Sequence, residues 1–342
     1  MHMADALISP AVGGTMWAAS AGLIAYSSKK ITEELDDRKV PLMGVLGAFI
    51  FAVQMINFTI PATGSSGHLG GGMILAILLG PYAAFLTMAS VLTVQALFFA
   101  DGGLLALGCN IFNLGFFTSF VAYPLIFRRM VGSSPSQGRI LSASVVSAVV
   151  GLQLGAFGVV LETFFSGISA LPFNSFVLLM QPIHLAIGAV EGLVTAAVVG
   201  FIWKARPEIV AGGRAPNGGA SMRPVLIGLI AVAAVTGGAL SWFASTNPDG
   251  LEWAMFKTSG SEELKNPEGV HQSLAHLQEK TAFLPDYGFK TGEAEAHPTE
   301  PQPAWPAVDA GTSVAGLVGG ALTLGVALLI GLGLRRRINN AK

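Results

Sequence analysis

The chain has 342 residues, 52% of them hydrophobic and only 11% charged, with a net charge of −1. Soluble domains carry roughly 25% charged residues, so this composition points to the membrane, and the near-neutral balance gives no ground for a nucleic-acid partner. The single cysteine, Cys109, sits in an apolar run and excludes intrachain disulfides and cysteine-based zinc or iron–sulfur sites.

About 20 apolar residues cross a bilayer. Read in chain order, the spans are 11–28, 41–58, 69–80, 82–100, 103–127, 140–166, 183–203, 225–243 and 311–334. The third and fourth nearly touch. Gly80-Pro81 favours a break between them, because proline has no N–H to continue a helix. The first ten residues lack Lys and Arg, and no cleavage site follows the first apolar run, so the chain is expected to begin natively at Met1. The bulk of His2 should protect Met1 from removal.

Positive charge sets the orientation. With the N-terminus outside, Lys29, Lys30, Arg38, Lys39, Arg128, Arg129, Arg139, Lys204, Arg206, Arg214, Arg223, Arg335, Arg336, Arg337 and Lys342 all fall inside. Fusing 73–100 into one helix would put Arg128 and Arg129 outside. The expected fold is therefore an all-α integral membrane protein, N-terminus out and C-terminus in. Residues 1–204 form a seven-span unit and residues 225–342 a two-span unit. The Gly-, Pro- and Arg-rich stretch 205–224 reads as a cytoplasmic linker between them. The outer segment 245–310 reads as loop with one short helix near "EGVHQSLAHLQEKT". Small-residue pairs, Gly151 with Gly155, Gly188 with Gly192 and Gly316 with Gly320, suit close helix packing.

The candidate site begins at the N-terminus. An N-terminal X-His offers the α-amine, the deprotonated amide of residue 2 and the ring Nδ1. These donors close adjacent five- and six-membered chelate rings in nearly one plane, because the peptide is planar. One equatorial position remains. The glycine-rich segment "IPATGSSGHLGGG" (60–72) lies on the same outer side and supplies His68. Four nitrogens in a plane suit Ni(II) or Cu(II), with Co(II) also accommodated. The expected metal set is Met1, His2 and His68. Binding displaces protons, so affinity should fall as pH drops. Asp5 and Asp101 are on the same side, as carboxylates that can orient a ligating ring; Asp5 also reads as a cap for the first helix.

Within the spans lie Glu162, His184 and Glu191, costly in a bilayer and read as structural or subunit-contact groups. His184 follows Pro182 near the outer boundary, where solvation is also open to it. His271, His276 and His297 read as residues of a solvated loop. No phosphate-binding loop is present, so ATP hydrolysis must come from elsewhere, and no H-E-x-x-H or G-x-S-x-G motif appears.

The stretches "MHMADALISPAVGG", "GHLGGGMILAILLGPY", "ADGGLLALGCNIFNLGF" and "HLAIGAVEGLVTAAV" resemble the CbiM/NikM family, over about residues 1–204. These are substrate-binding components of energy-coupling factor transporters for cobalt and nickel. "NPDGLEWA" (247–254) resembles the PDGLE signature of the small CbiN/NikN component, so the chain looks like a fused MN protein. The resemblance implies a seven-helix bundle whose N-terminus threads into a pocket, with Met1, His2 and His68 as the metal donors. It implies no permanent cofactor, Ni2+ or Co2+ as cargo, and a location in a prokaryotic cytoplasmic membrane. It also implies two kinds of partner, a transmembrane coupling protein and cytoplasmic ATPases. The family opening is commonly Met-His-Ile, and here it is Met-His-Met. Relatives serving cobalamin synthesis share these motifs, which leaves nickel and cobalt both open. The rival readings are an intramembrane enzyme built on Glu162, His184 and Glu191, and a metal sensor.

Overall fold

A computed structural model describes residues 2–31, 39–210, 221–262, 264–290 and 305–340. After a short 3-10 turn at Asp5–Leu7, helix α1 runs from Pro10 to Lys30. Its cap is Ser9, whose hydroxyl accepts from Val12 N at 3.4 Å, and Pro10 takes the first helical position, where a missing N–H costs nothing. Asp5 is therefore not the helix cap. Helix α2 (Lys39–Gln54) leads into an antiparallel hairpin, β1 (Phe58–Ile60) and β2 (Ser65–Gly67), paired Phe58 with Gly67 and Ile60 with Ser65. The first part of the 60–72 segment thus belongs to a small hairpin, residues 58–67, where only loop was expected.

Helix α3 (Gly72–Leu79) and helix α4 (Pro81–Phe99) are separated at Gly80, which adopts φ +81°, so the predicted break is present. The segment 69–80, read as a full span, is not one. Eight helical residues reach only about 12 Å, less than half a bilayer core of about 30 Å. All eight are buried, which makes α3 an interior element and not a lipid-facing one.

Helix α5 (Leu107–Val131) is wound through Phe112–Phe127 as a wider π-helix that includes Pro124. Helices α6 (Gln137–Ser166) and α7 (Phe173–Ala205) pack on each other, and the small residues explain how closely. A methyl placed on Gly192 would sit 2.5 Å from Val145 Cα, and one on Gly188 3.0 Å from Val149 Cα. Helix α7 starts ten residues before the predicted span and carries Pro182 inside it.

Helix α8 (Arg223–Gly238) and the last helix pack against α2. Between them, α9 (Gly250–Ser259) and α10 (Val270–Thr281) give the outer segment two helices where one was expected. The last helix, α11 (Ala310–Asn340), meets α8 where Gly316 and Gly237 touch: a methyl on Gly316 would lie 2.2 Å from Gly237 O. Among the described residues five helices, α4, α5, α6, α7 and Ala310–Arg336 of α11, are long and apolar enough to cross a membrane. Large apolar side chains such as Phe157, Leu185, Leu193, Phe201, Ile227 and Leu329 are exposed on them and on α8, which suits contact with lipid.

Candidate metal site

The N-terminal segment is held in place by backbone bonds, not by its own helix. Asn110 on α5 grips Met3 at both ends: its Oδ1 accepts from Met3 N at 2.8 Å, and its Nδ2 donates to Met3 O at 3.2 Å. Gly103 N donates to the same carbonyl at 2.9 Å. Asp5 is buried and accepts from Ala106 N at 3.0 Å. These bonds fix the backbone on which His2 stands. Met1, the first predicted donor, lies outside the described residues.

His2 and His68 come together across 66 positions of sequence. Their rings lie at 5° to each other with centroids 5.0 Å apart. Asp101, in the turn after α4, joins them: its Oδ1 is 3.0 Å from His2 Nδ1. Asp101 is thus on one of the two candidate histidines, but on the nitrogen that the expected chelate would use and not on the spare one, where a carboxylate was expected. Metal bonding through Nδ1 must replace this hydrogen bond. His2 Nε2 is buried with no hydrogen-bond partner. Asp5 does not join the histidines; it serves the backbone of residues 104–106.

His68 donates from Nδ1 to Leu69 O at 3.2 Å, since a carbonyl can only accept, and its lone pair is then on Nε2. Burial lowers the His68 pKa to about 3, so the ring is neutral and ready as a donor near pH 7. Burial pushes the Asp101 carboxyl up, yet the adjacent His2 and the Tyr287 hydroxyl outweigh burial and hold it below the usual carboxylate range.

The loop carrying His68 is fastened from the bundle. Glu191 on α7 accepts from Gly70 N at 2.8 Å and from Gly71 N at 3.1 Å. Gln54 Nε2 donates to Gly70 O at 2.8 Å, and Gln95 Nε2 to Gln54 Oε1 at 2.8 Å. The intramembrane acid thus serves the site by holding its backbone. His184 is buried, not solvated, and gives Nδ1 to Met180 O at 2.8 Å. Glu162 lies apart from the histidines, accepting from Asn113 at 2.7 Å.

The sequence suggests that the C-terminal unit acts on the 60–72 loop, but not which residues of the outer segment make the contacts. The Ser66 backbone N–H donates to Pro248 O at 2.8 Å, and Trp253 Nε1 to Thr63 O at 3.0 Å, binding the hairpin to the start of α9. Tyr287 donates its hydroxyl to Asp101 Oδ2. Gln278 Nε2 reaches Ala96 O (2.8 Å) and Gly102 O (2.7 Å). His271, expected to be solvated, is buried with Nε2 2.8 Å from Ile8 O; His276 is exposed beside Glu279, and His297 lies outside the described residues. The one local signal was the sequence Asp249-Gly250-Leu251-Glu252, a capping box at the start of α9.

Among the described residues no group of three or more His, Cys, Asp or Glu side chains is placed to hold a metal. A site built from these residues would have to draw on backbone or terminal nitrogens, as the expected N-terminal chelate would.

Comparison with known proteins gives the same direction. Residues 2–209 match the CbiM family, described as "Cobalt uptake substrate-specific transmembrane region", and residues 223–336 match the PDGLE domain family. The "Putative fused nickel transport protein NikMN" of Archaeoglobus fulgidus is 32% identical over 95% of this chain and 96% of its own length. The "Fused nickel transport protein NikMN" of Rhodobacter capsulatus is 31% identical over 84% of this chain and 88% of its own. Among solved structures, a "transition metal transporter" superposes with a TM-score of 0.54 at 31% identity, covering 62% of this chain and 97% of that one.

Proposed function

The chain belongs to the CbiM family of transport proteins and carries a C-terminal PDGLE domain, and on that premise we propose that it is the substrate-binding component of an energy-coupling factor transporter that takes up Ni2+. It is a multi-pass membrane protein of a transport family, not an enzyme. The observation that carries the reading is the burial of His2 beside His68, 5.0 Å apart, on a neutral loop histidine with its lone pair on Nε2. The donors are the Met1 amine, the His2 amide and ring, and His68. Nickel is favoured over cobalt because a planar nitrogen set suits Ni(II), and because the fused relatives that match most of this chain are named as nickel transport proteins. Cobalt uptake for cobalamin synthesis is the alternative.

The orientation that fits is N-terminus out and C-terminus in, across a prokaryotic cytoplasmic membrane, with residues 1–204 as the metal-binding unit. The PDGLE unit, residues 225–342, reaches it through residues such as Pro248, Trp253, Gln278 and Tyr287. His68 enters the reaction already neutral, so the amine and the amide supply protons that binding must displace. Asp101 supports His2 before the metal arrives. Energy comes from partners, a transmembrane coupling protein and cytoplasmic ATPases, since the chain has no phosphate loop.

The direct test is calorimetric titration of the purified full chain with Ni2+ and with Co2+. His68→Ala should weaken Ni2+ binding at least a hundredfold, and uptake by cells carrying the coupling and ATPase subunits should fall to background. Parent-like affinity in His68→Ala would remove the site. A second expectation concerns Gly103. A methyl there would lie 1.9 Å from Asp5 Oδ1 and 2.4 Å from Asp5 N, a backbone atom that cannot swing away. Gly103→Ala should displace the segment that carries His2, lowering Ni2+ affinity about tenfold and the thermal midpoint with it. Unchanged titration curves would show that the segment is not held as described.

A further inference from the structure

Asp101 stands between two donors from distant parts of the chain. Its Oδ1 is 3.0 Å from His2 Nδ1, and its Oδ2 accepts from the Tyr287 hydroxyl. An ionised carboxylate only accepts, so the proton of the first bond lies on Nδ1 and covers the lone pair of that nitrogen. The expected chelate needs the same lone pair. Asp101 and the metal therefore compete for one atom of His2, and whatever holds Asp101 in place weights that competition.

Tyr287 is well placed to hold it. Its ring stacks on Phe99, with centroids 5.3 Å apart and planes at 21°, and meets Phe51 edge-on at 6.0 Å. Its turn, Pro285–Tyr287, is pinned to the end of α4, where Leu284 N donates to Phe98 O at 3.2 Å. Asp286 and Tyr287 adopt φ of +49° and +60°. Residues with a Cβ seldom enter this region and stay there only where their surroundings enforce it. The Asp101 side chain is 22% exposed, so a carboxylate released by Tyr287 has water to turn to.

We propose that Tyr287 is a positioning residue, a latch that the PDGLE unit places on the metal site: through Asp101 it holds the His2 ring in its metal-free arrangement, with the chelating nitrogen covered, and Ni2+ enters only as the latch gives way. The inference rests on the reading of Met1, His2 and His68 as the metal donors. It gives the outer segment a task beyond its contacts with the hairpin, which is to set how tightly the ion is held. An interaction present only in the metal-free form lowers affinity by what that interaction is worth.

The test compares the parent with Tyr287→Phe, which keeps the ring, its packing and the Asp101 charge, and removes only the hydroxyl. Ni2+ titration and the rate of Ni2+ loading are measured on the purified full chain, together with thermal midpoints with and without Ni2+. Tyr287→Phe should bind Ni2+ about tenfold more tightly and load faster. Its metal-free midpoint should fall, while its midpoint at saturating Ni2+ should not; a merely structural role would lower both. In an Asp101→Ala background the same substitution should leave the affinity where it was, because its route to His2 is gone. If Tyr287→Phe binds Ni2+ like the parent or more weakly while His68→Ala has lost binding, the latch is overturned and the metal site stands. An equal effect of Tyr287→Phe in both backgrounds also overturns it, since Tyr287 would then act by a route other than Asp101. If His68→Ala binds Ni2+ like the parent, the metal site itself fails, and the latch with it.

Discussion

A chain whose terminal amine is blocked, by a retained formyl group or by acetylation, is expected to lose Ni2+ binding by at least a hundredfold, about 2.8 kcal/mol. The amine, like the His2 amide, is a donor that side-chain substitution leaves in place, and a chemical block removes it selectively. Blocking it turns a basic nitrogen into an amide and opens the five-membered ring, leaving His2 and His68 as two separate imidazoles. Both histidines and the Asn110 grip on Met3 stay as they are, so helicity and thermal midpoint should not change. A single added residue is the less clean experiment. It places the histidine third, and a terminal X-X-His offers four nitrogens of its own, so such a chain can bind nickel without His68. The blocked chain allows no such substitute. Parent-like affinity in calorimetry on the blocked protein would exclude the amine, and with it the chelate.

The parts of this structure legible in the sequence are those written locally. Each of the nine apolar segments contains a helix, and Gly80-Pro81 marks a real break. The two histidines were assigned to one face from charge alone, and they are neighbours. What was not legible depends on contacts across long stretches of chain. Periodicity carries no sign that Asn110 holds Met3 from 107 positions away, or that Tyr287 reaches Asp101 from 186. Length was misjudged at α3 because an apolar run looks alike whether it crosses a membrane or fills an interior. His271 was read as solvated because its neighbours are polar, yet the helix turns that one residue inward onto Ile8 O. The ring nitrogen facing Asp101 was likewise beyond sequence, since it depends on the rotation of a single side chain.

Glu191 shows how a costly intramembrane charge can belong to a binding site without touching the ligand. Its two oxygens take the N–H groups of Gly70 and Gly71, at 2.8 and 3.1 Å, two and three residues after His68. Gly71 needs glycine: it adopts φ +74°, with Ile50 only 2.6 Å from where a methyl would stand, while a methyl on Gly70 would lie a tight 3.2 Å from Glu191 Oε2. Glu191→Ala leaves two buried N–H groups without partners, each worth about 1–3 kcal/mol. The loop can then recover only by moving out toward water, and it takes His68 with it. We expect Glu191→Ala to lower Ni2+ affinity 10- to 100-fold and to lower the thermal midpoint. Glu191→Gln should fall between it and the parent, because the amide keeps one acceptor and sets its NH2 group against the second glycine N–H. That order, parent above Gln above Ala in both calorimetry and thermal unfolding, is what a backbone clasp requires. A Glu191→Ala chain that melts and binds Ni2+ like the parent would mean that His68 is positioned by the hairpin and α9 alone.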